Sequence, residues 1–174
     1  MPEIEIRESR PDDMEFIERL YPAAFPDEDL LPVVHALLTG EPELLSLMAS
    51  ADGELAGHVL FTVCGITGAP AKTALLAPLA VAPALQRQGI GSALIRDGLE
   101  RLEQADVTHV YVLGDPAYYG RSGFIPEPAI APPYALPEEW RDAWQSLSLG
   151  DAPQPPTGTL IVPEVWMEPA LWGP

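Results

Sequence analysis

The chain has 174 residues, 47% of them hydrophobic, with 26 acidic against 9 basic side chains and a net charge of −17. That length suits one domain with a core of its own, the acid surplus repels nucleic acid and anionic membrane surfaces, and no run of about 18 apolar residues offers a membrane-spanning helix. The opening MPEIEIRESRPDD has neither a basic start nor an apolar stretch, so no signal peptide and a cytoplasmic setting are expected, while the lone Cys64 leaves no internal disulfide and no cysteine metal cluster.

Glu3 to Arg7 alternates at period two and predicts an opening strand; Pro11-Asp12-Asp13 then starts a helix in which Phe16, Ile17, Leu20, Tyr21 and Ala24 recur at helical spacing. A second helix is expected from near Asp27 to Gly40, with Pro32 in its first turn or so, where a missing N–H costs little. Two apolar runs split by Asp52-Gly53 predict an antiparallel hairpin. TGAPAK reads as a loop leading into a third run, Thr73 to Val81, and a glycine-containing segment follows. In the next helix Ile90, Leu94, Gly98, Leu102 and Ala105 line one stripe and Arg96, Asp97, Glu100 and Arg101 face away, with Gly98 placed to let the helix lie close on a sheet. Val107 to Leu113 predicts another strand, and Asp115 to Gly123 a short helix started by proline. Beyond Phe124 the texture changes: 11 of the 21 prolines fall in residues 126–174, where TLIVPEVW is the clear late strand. That segment is expected to complete the fold of a single domain over 1–174. Its Trp140, Trp144 and Trp166 suit the core, a pocket floor or a homodimer contact.

The segment PLAVAPALQRQGIGSAL carries the chemistry. Pro78 removes a backbone donor from the strand, so a bulge or a parting from a neighbour is expected near the strand's end. Gly89 and Gly91 then open a helix whose free N–H groups, from Arg87 through Gln88, Ile90 and Ser92, suit phosphate oxygens. A phosphate loop of the nucleotide-hydrolase kind needs a lysine after its last glycine, and a dinucleotide fingerprint needs a glycine where Leu94 stands; neither pattern is met.

What the stretch does resemble is the acyl-CoA signature of the GNAT superfamily of N-acetyltransferases, Gln/Arg-x-x-Gly-x-Gly/Ala, read here as Gln86-Arg87-Gln88-Gly89-Ile90-Gly91. The order of elements around it and the later Tyr119-Gly120-Arg121-Ser122-Gly123-Phe124 also resemble the family, over roughly Glu3 to Pro126, and in detail its bacterial YhbS-type branch. The resemblance implies an α+β fold with a mixed, mostly antiparallel sheet flanked by helices and splayed between the fourth and fifth strands. It implies acetyl-CoA as acyl donor, no metal, and direct attack by a primary amine of a small molecule or protein. Pantetheine would lie against the backbone of Leu79, Ala80 and Val81, with the Val81 N–H as oxyanion donor, and the diphosphate on Gln86 through Ser92 with Arg87 beside it. Tyr119 would bind the coenzyme and protonate its departing thiolate.

Other readings stay open residue by residue. Arg87 also fits a solvated surface, Tyr119 a wall against the pantetheine, and Asp115 a helix cap in place of an orienting role. His58, on a strand face with Leu60, Thr62 and Cys64, is the candidate base but equally a structural histidine. Asp27, Glu28 and Asp29 suit an ammonium site or a solvated cap, and Cys64 a small buried hydrophobe. Water-mediated deprotonation needs no dedicated base. At the level of function, the alternatives are a silent acyl-CoA sensor or scaffold of the same fold and a dinucleotide-dependent enzyme.

Overall fold

Asp52 and Gly53 both have positive φ, +50° and +86°, which is the two-residue turn that matches the twist of an antiparallel pair. Around that hairpin the computed structural model, which describes residues 2–155 and 157–173, lays out β1 (Ile4–Glu8), α1 (Met14–Ala24), α2 (Leu31–Thr39), β2 (Leu44–Ala51), β3 (Glu54–Ile66), β4 (Ala69–Val81) and α3 (Ile90–Gln104). There follow β5 (His109–Leu113), α4 (Pro116–Tyr119), β6 (Ile125–Pro126), β7 (Ile130–Ala131), β8 (Trp144–Ser148) and β9 (Gly158–Ile161). Strand order is β1-β2-β3-β4-β5-β8-β6, with β9 pairing β3 and β7. The sheet is mixed and mostly antiparallel; β4 with β5 and β7 with β9 are parallel pairs.

The chain forms two compact units, Met1–Phe61 with Ala77–Glu100, and Thr62–Leu76 with Arg101–Pro174. In the first, β1 pairs β2 in register from Ile4↔Ala51 to Glu8↔Leu47. Arg7 grips Asp13 with two guanidinium bonds of 2.8 and 2.9 Å, which fixes the chain's entry into α1. The apolar stripe of α1 buries Ile17, Leu20 and Tyr21, and α2 buries Val33, Val34 and Leu37. On α3, the Phe61 ring occupies the space a side chain at Gly98 would need, so that glycine does allow the close approach its place in the stripe predicts.

In the second unit, β5 joins β4 from Thr73↔His109 to Leu75↔Tyr111. That ladder ends six residues before β4 does. The other edge of β5 pairs with β8, from His109↔Ser148 to Leu113↔Trp144. Trp144, Trp166 and Trp172 are buried edge-to-face neighbours, and each indole N–H has an oxygen acceptor, so these tryptophans are core with their polar atoms satisfied.

The strand expected from Val107 begins at His109, the late strand expected over TLIVPEVW ends at Ile161, and three larger differences from the sequence reading follow. α2 starts at Leu31, since Pro32 is suited to the first helical positions and not to a deeper one, and Pro26 to Glu28 turn instead. TGAPAK is no long loop: Thr67-Gly68, with Gly68 at φ +71°, turns tightly and β4 begins at Ala69. The proline-rich end contributes four short strands, β6 to β9, where one was expected.

Candidate active site

After β4 a 3-10 turn at Pro83–Leu85 leads through Gln86 to Gly89 into α3. Two residues of that approach are left-handed, Arg87 at φ +65° and Gly89 at φ +86°. Nothing lies within 4 Å of where a Cβ on Gly89 would stand, so the glycine is required by conformation and leaves open space over the main chain. The left-handed Arg87 costs about 1–2 kcal/mol of backbone strain, in an exposed residue that gains no packing for it. The Ala93 N–H bonds back to the Gly89 carbonyl at 3.0 Å, while the N–H groups of Ile90, Gly91 and Ser92, one to three positions earlier, have no helical acceptor behind them. The first turn of α3 holds no acidic side chain, although the chain carries 26 carboxylates. Helix dipole and bare main chain thus meet with no acidic side chain in the first turn, which is the chemistry of an anion cradle.

The end of β4 supplies a second row of backbone groups. Lys72 gives its carbonyl to the Thr108 N–H on the β5 side, yet Ala82 gives its N–H to Ala56 on β3 at 2.8 Å. In an unbroken strand residues 72 and 82 would face one side, so one irregularity separates them, and Pro78 lies in that interval. Ala80 faces β3, its carbonyl 2.9 Å from where a Cβ on Gly57 would stand. Alternation therefore turns Leu79 and Val81 to the edge away from β3. Gln86, expected to bind the coenzyme, gives its amide to the Val81 carbonyl at 3.1 Å and pins the loop to the strand. Gly57 was missed in the sequence: a Cβ there would press on Ala80, Leu94 and Ile90 at 2.9–3.3 Å, so its bareness sets the distance between β3, β4 and the first turns of α3. A glycine inside a strand pattern was the available signal.

His58 lies on the other face of β3 from Gly57 and Phe61, and it is fully buried. Its Nδ1 is 2.7 Å from the Tyr21 hydroxyl and its Nε2 2.8 Å from Ser46 Oγ. Burial lowers its pKa to about 4, so it is a neutral imidazole with both nitrogens engaged. That is the structural alternative rather than a base open to substrate. Asp27, Glu28 and Asp29 are exposed, on the loop between α1 and α2, and rim a cavity of ≈ 360 Å³ walled by Tyr21, Phe25 and Leu30.

In the second unit, Asp115 caps α4, its Oδ1 accepting the Ala117 N–H at 2.9 Å, as the capping alternative has it. Tyr119 closes that helix, its ring against the bare face of Gly114 and edge-on to Tyr118 and Phe124. Burial, and then the neighbouring Tyr118, push the Tyr119 phenol well above its usual range, so it holds its proton. Gly123 ends the segment at φ +103°. Cys64 is buried and its thiol is pushed up to about 12 by burial, the state of a small hydrophobe. Among the described residues no cluster of three His, Cys, Asp or Glu is placed to hold a metal ion.

The sequence profile described as "Acetyltransferase (GNAT) family" matches residues 10–124, which span the hairpin, the end of β4, the α3 entrance and the Tyr119 segment. The chain belongs to the GNAT acetyltransferase family. This GNAT acetyltransferase is 40% identical over 119 residues to the uncharacterized N-acetyltransferase YjhQ of Escherichia coli K12, covering 66% of each chain. It is 33% identical to the uncharacterized N-acetyltransferase YhbS of the same strain over 120 residues, 68% of this chain and 72% of the relative. Among solved structures, YhbS from Escherichia coli in complex with CoA superposes with a TM-score of 0.86 at 28% identity, over 97% of this chain and 94% of that one. A GNAT acetyltransferase from Brucella melitensis in complex with acetyl-CoA gives 0.74 at 33% identity, over 94% and 98%. The GNAT fold expected from the sequence is therefore the fold of this protein.

Proposed function

We propose that this protein moves the acetyl group of acetyl-CoA to a primary amine of a small molecule or a protein, by direct attack and without a metal. The observation that carries the reading is the cradle at the entrance of α3, beside a strand end whose Leu79 and Val81 backbone faces away from β3. In this reading the N–H groups of Arg87 through Ser92 take the diphosphate oxygens, Arg87 adds a charge-assisted bond, and Leu79 to Val81 align the pantetheine as an added strand would. The Val81 N–H stabilises the thioester oxygen as it gains charge, a term that depends on a fixed donor rather than on a side chain.

The attacking amine must be neutral. Its ammonium form is gathered at the rim of Asp27 and Glu28, and its proton leaves through water, because both nitrogens of His58 are engaged. Tyr119, protonated across the physiological range, then gives its proton to the departing thiolate. Residues 126–174 complete the catalytic domain, and the acid-rich surface, together with the lack among the described residues of a helix long and apolar enough to cross a membrane, supports a cytoplasmic role.

The test is thiol release from acetyl-CoA against a panel of amines, amino acids, aminoglycosides and peptides, run on wild type and on Tyr119→Phe. An enzyme with Tyr119 as acid loses about 10²-fold or more in kcat while its acetyl-CoA affinity is kept. Binding of the coenzyme with no turnover on any acceptor would make the protein a sensor.

A further inference from the structure

Tyr21 forms part of the wall of the acidic cavity, and its ring is held from two directions. Phe25, also in the wall, stacks on it at 6.3 Å and 15°. The hydroxyl at the far end meets His58 Nδ1 at 2.7 Å, the first link of a chain that continues from His58 Nε2 to Ser46 Oγ at 2.8 Å and on to Ser9 Oγ at 2.6 Å. Tyr21 is 1% exposed and His58 fully buried. A leucine or phenylalanine pair would fill this space with no need for partners, whereas the chain of directional bonds fixes where the hydroxyl end of the Tyr21 ring lies.

The backbone at this point is held by local bonds, the Phe25 N–H to the Tyr21 carbonyl at 2.9 Å and the Glu28 N–H to the Phe25 carbonyl at 3.2 Å. Pro22, inside the last turn of α1, cannot bond to the Glu18 carbonyl, so that turn has one helical bond fewer before the loop of Asp27 and Glu28. The Tyr21 hydroxyl adds a tie from the segment that bears the wall to β3 at His58 and, through that ring, to β2 at Ser46.

We propose that His58 is a positioning residue for the acceptor site: acting through Tyr21, it holds the wall of the cavity in the shape that receives a primary ammonium. The inference rests on the reading of this cavity as the acceptor site. It gives His58 a part in amine recognition with no proton transfer and no contact with substrate.

The two ring nitrogens can be separated experimentally, since an asparagine amide reaches roughly where Nδ1 lies and a glutamine amide where Nε2 lies. His58→Asn keeps the bond to Tyr21 and gives up Ser46; His58→Gln does the reverse. Dissociation constants for hexylammonium and for acetyl-CoA are measured by calorimetry on the full chain, for wild type, both histidine variants, Tyr21→Phe and the rim variant D27N/E28Q. The expected result is that His58→Gln and Tyr21→Phe bind hexylammonium about fivefold more weakly. His58→Asn stays within about twofold of wild type, and acetyl-CoA binding is held in all of them.

A merely structural histidine would make the Asn and Gln variants alike, or weaken both ligands in parallel, and either result overturns the proposal. Tyr21→Phe, which removes one oxygen and keeps the ring, decides the matter if the histidine variants do not fold: unchanged hexylammonium affinity there also overturns it. If wild type does not bind hexylammonium, or D27N/E28Q binds it as well as wild type does, the assignment of the cavity as acceptor site is what has failed, and the role of His58 falls with it.

Discussion

Gly53 and Gly89 form a natural controlled pair. Both have φ +86°, and neither has any atom within 4 Å of where a Cβ would stand. Alanine at either position therefore meets the same cost, about 1–2 kcal/mol for an L-residue held left-handed, with no clash added. For a chain of this size that cost lowers Tm by about 2–8 °C. The two positions differ in what is proposed to lie over them: solvent above the hairpin turn at Gly53, and the coenzyme diphosphate above Gly89. A methyl group that holds the diphosphate off one or two main-chain N–H groups forfeits about 1.5–3 kcal/mol of charge-assisted bonding, or about 10- to 100-fold in affinity. Thermal melts and acetyl-CoA calorimetry on Gly53→Ala and Gly89→Ala read the two quantities separately. Similar losses in Tm with weakened coenzyme binding at Gly89 alone are the expected outcome. Equal coenzyme affinity in the two variants would refute the assignment of the α3 entrance, whatever their stabilities.

Arg87→Gly should move stability and binding in opposite directions, raising Tm by relief of a left-handed residue while weakening acetyl-CoA severalfold through loss of the guanidinium; a rise in Tm with unchanged affinity, seen in the same two assays, would make Arg87 a solvated surface residue. For His58 the sign follows from its depressed pKa: between about 6.5 and about 4 the unfolded chain binds a proton that the folded chain refuses, so stability falls as pH falls through that window, by about 3 kcal/mol in all. His109, also lowered by burial, adds to the same slope, whereas Asp13, whose carboxylate is held down chiefly by its bond to Arg7, loses its contribution only at lower pH. Urea midpoints from pH 7 to pH 4 should show a shallower decline for His58→Asn than for wild type, and parallel curves would contradict the burial of a neutral imidazole.

How much of this was legible in the sequence depended on the range of the interaction. The left-handed turns at Asp52-Gly53 and before α3 are decided by φ within a few residues, and the glycine pattern showed both. Gly98 and the cap at Asp115 were equally readable, because stripe position and Asx-Pro spacing are local properties. The length of β4 was not, since Thr67-Gly68 resembles a loop with Pro70 until its hairpin geometry is seen. β8 stayed hidden among prolines because its pairing is with β5, about 35 residues earlier, and its Trp144, Gln145 and Ser146 are buried without an apolar alternation to show it. His58 could be placed on a strand face, but its partners Tyr21 and Ser46 lie 37 and 12 residues away, and nothing in local periodicity joins a tyrosine in α1 to a histidine in β3.

The central claim is that main chain, at the entrance of α3 and along the outer edge of β4, is what holds the coenzyme. Amide shifts in a ¹⁵N-labelled sample titrated with acetyl-CoA address it residue by residue. Large, saturable shifts are expected at Leu79, Val81 and Arg87 through Ser92, with none at these positions on addition of NAD. Saturable binding of acetyl-CoA that leaves those amides unmoved would contradict the account.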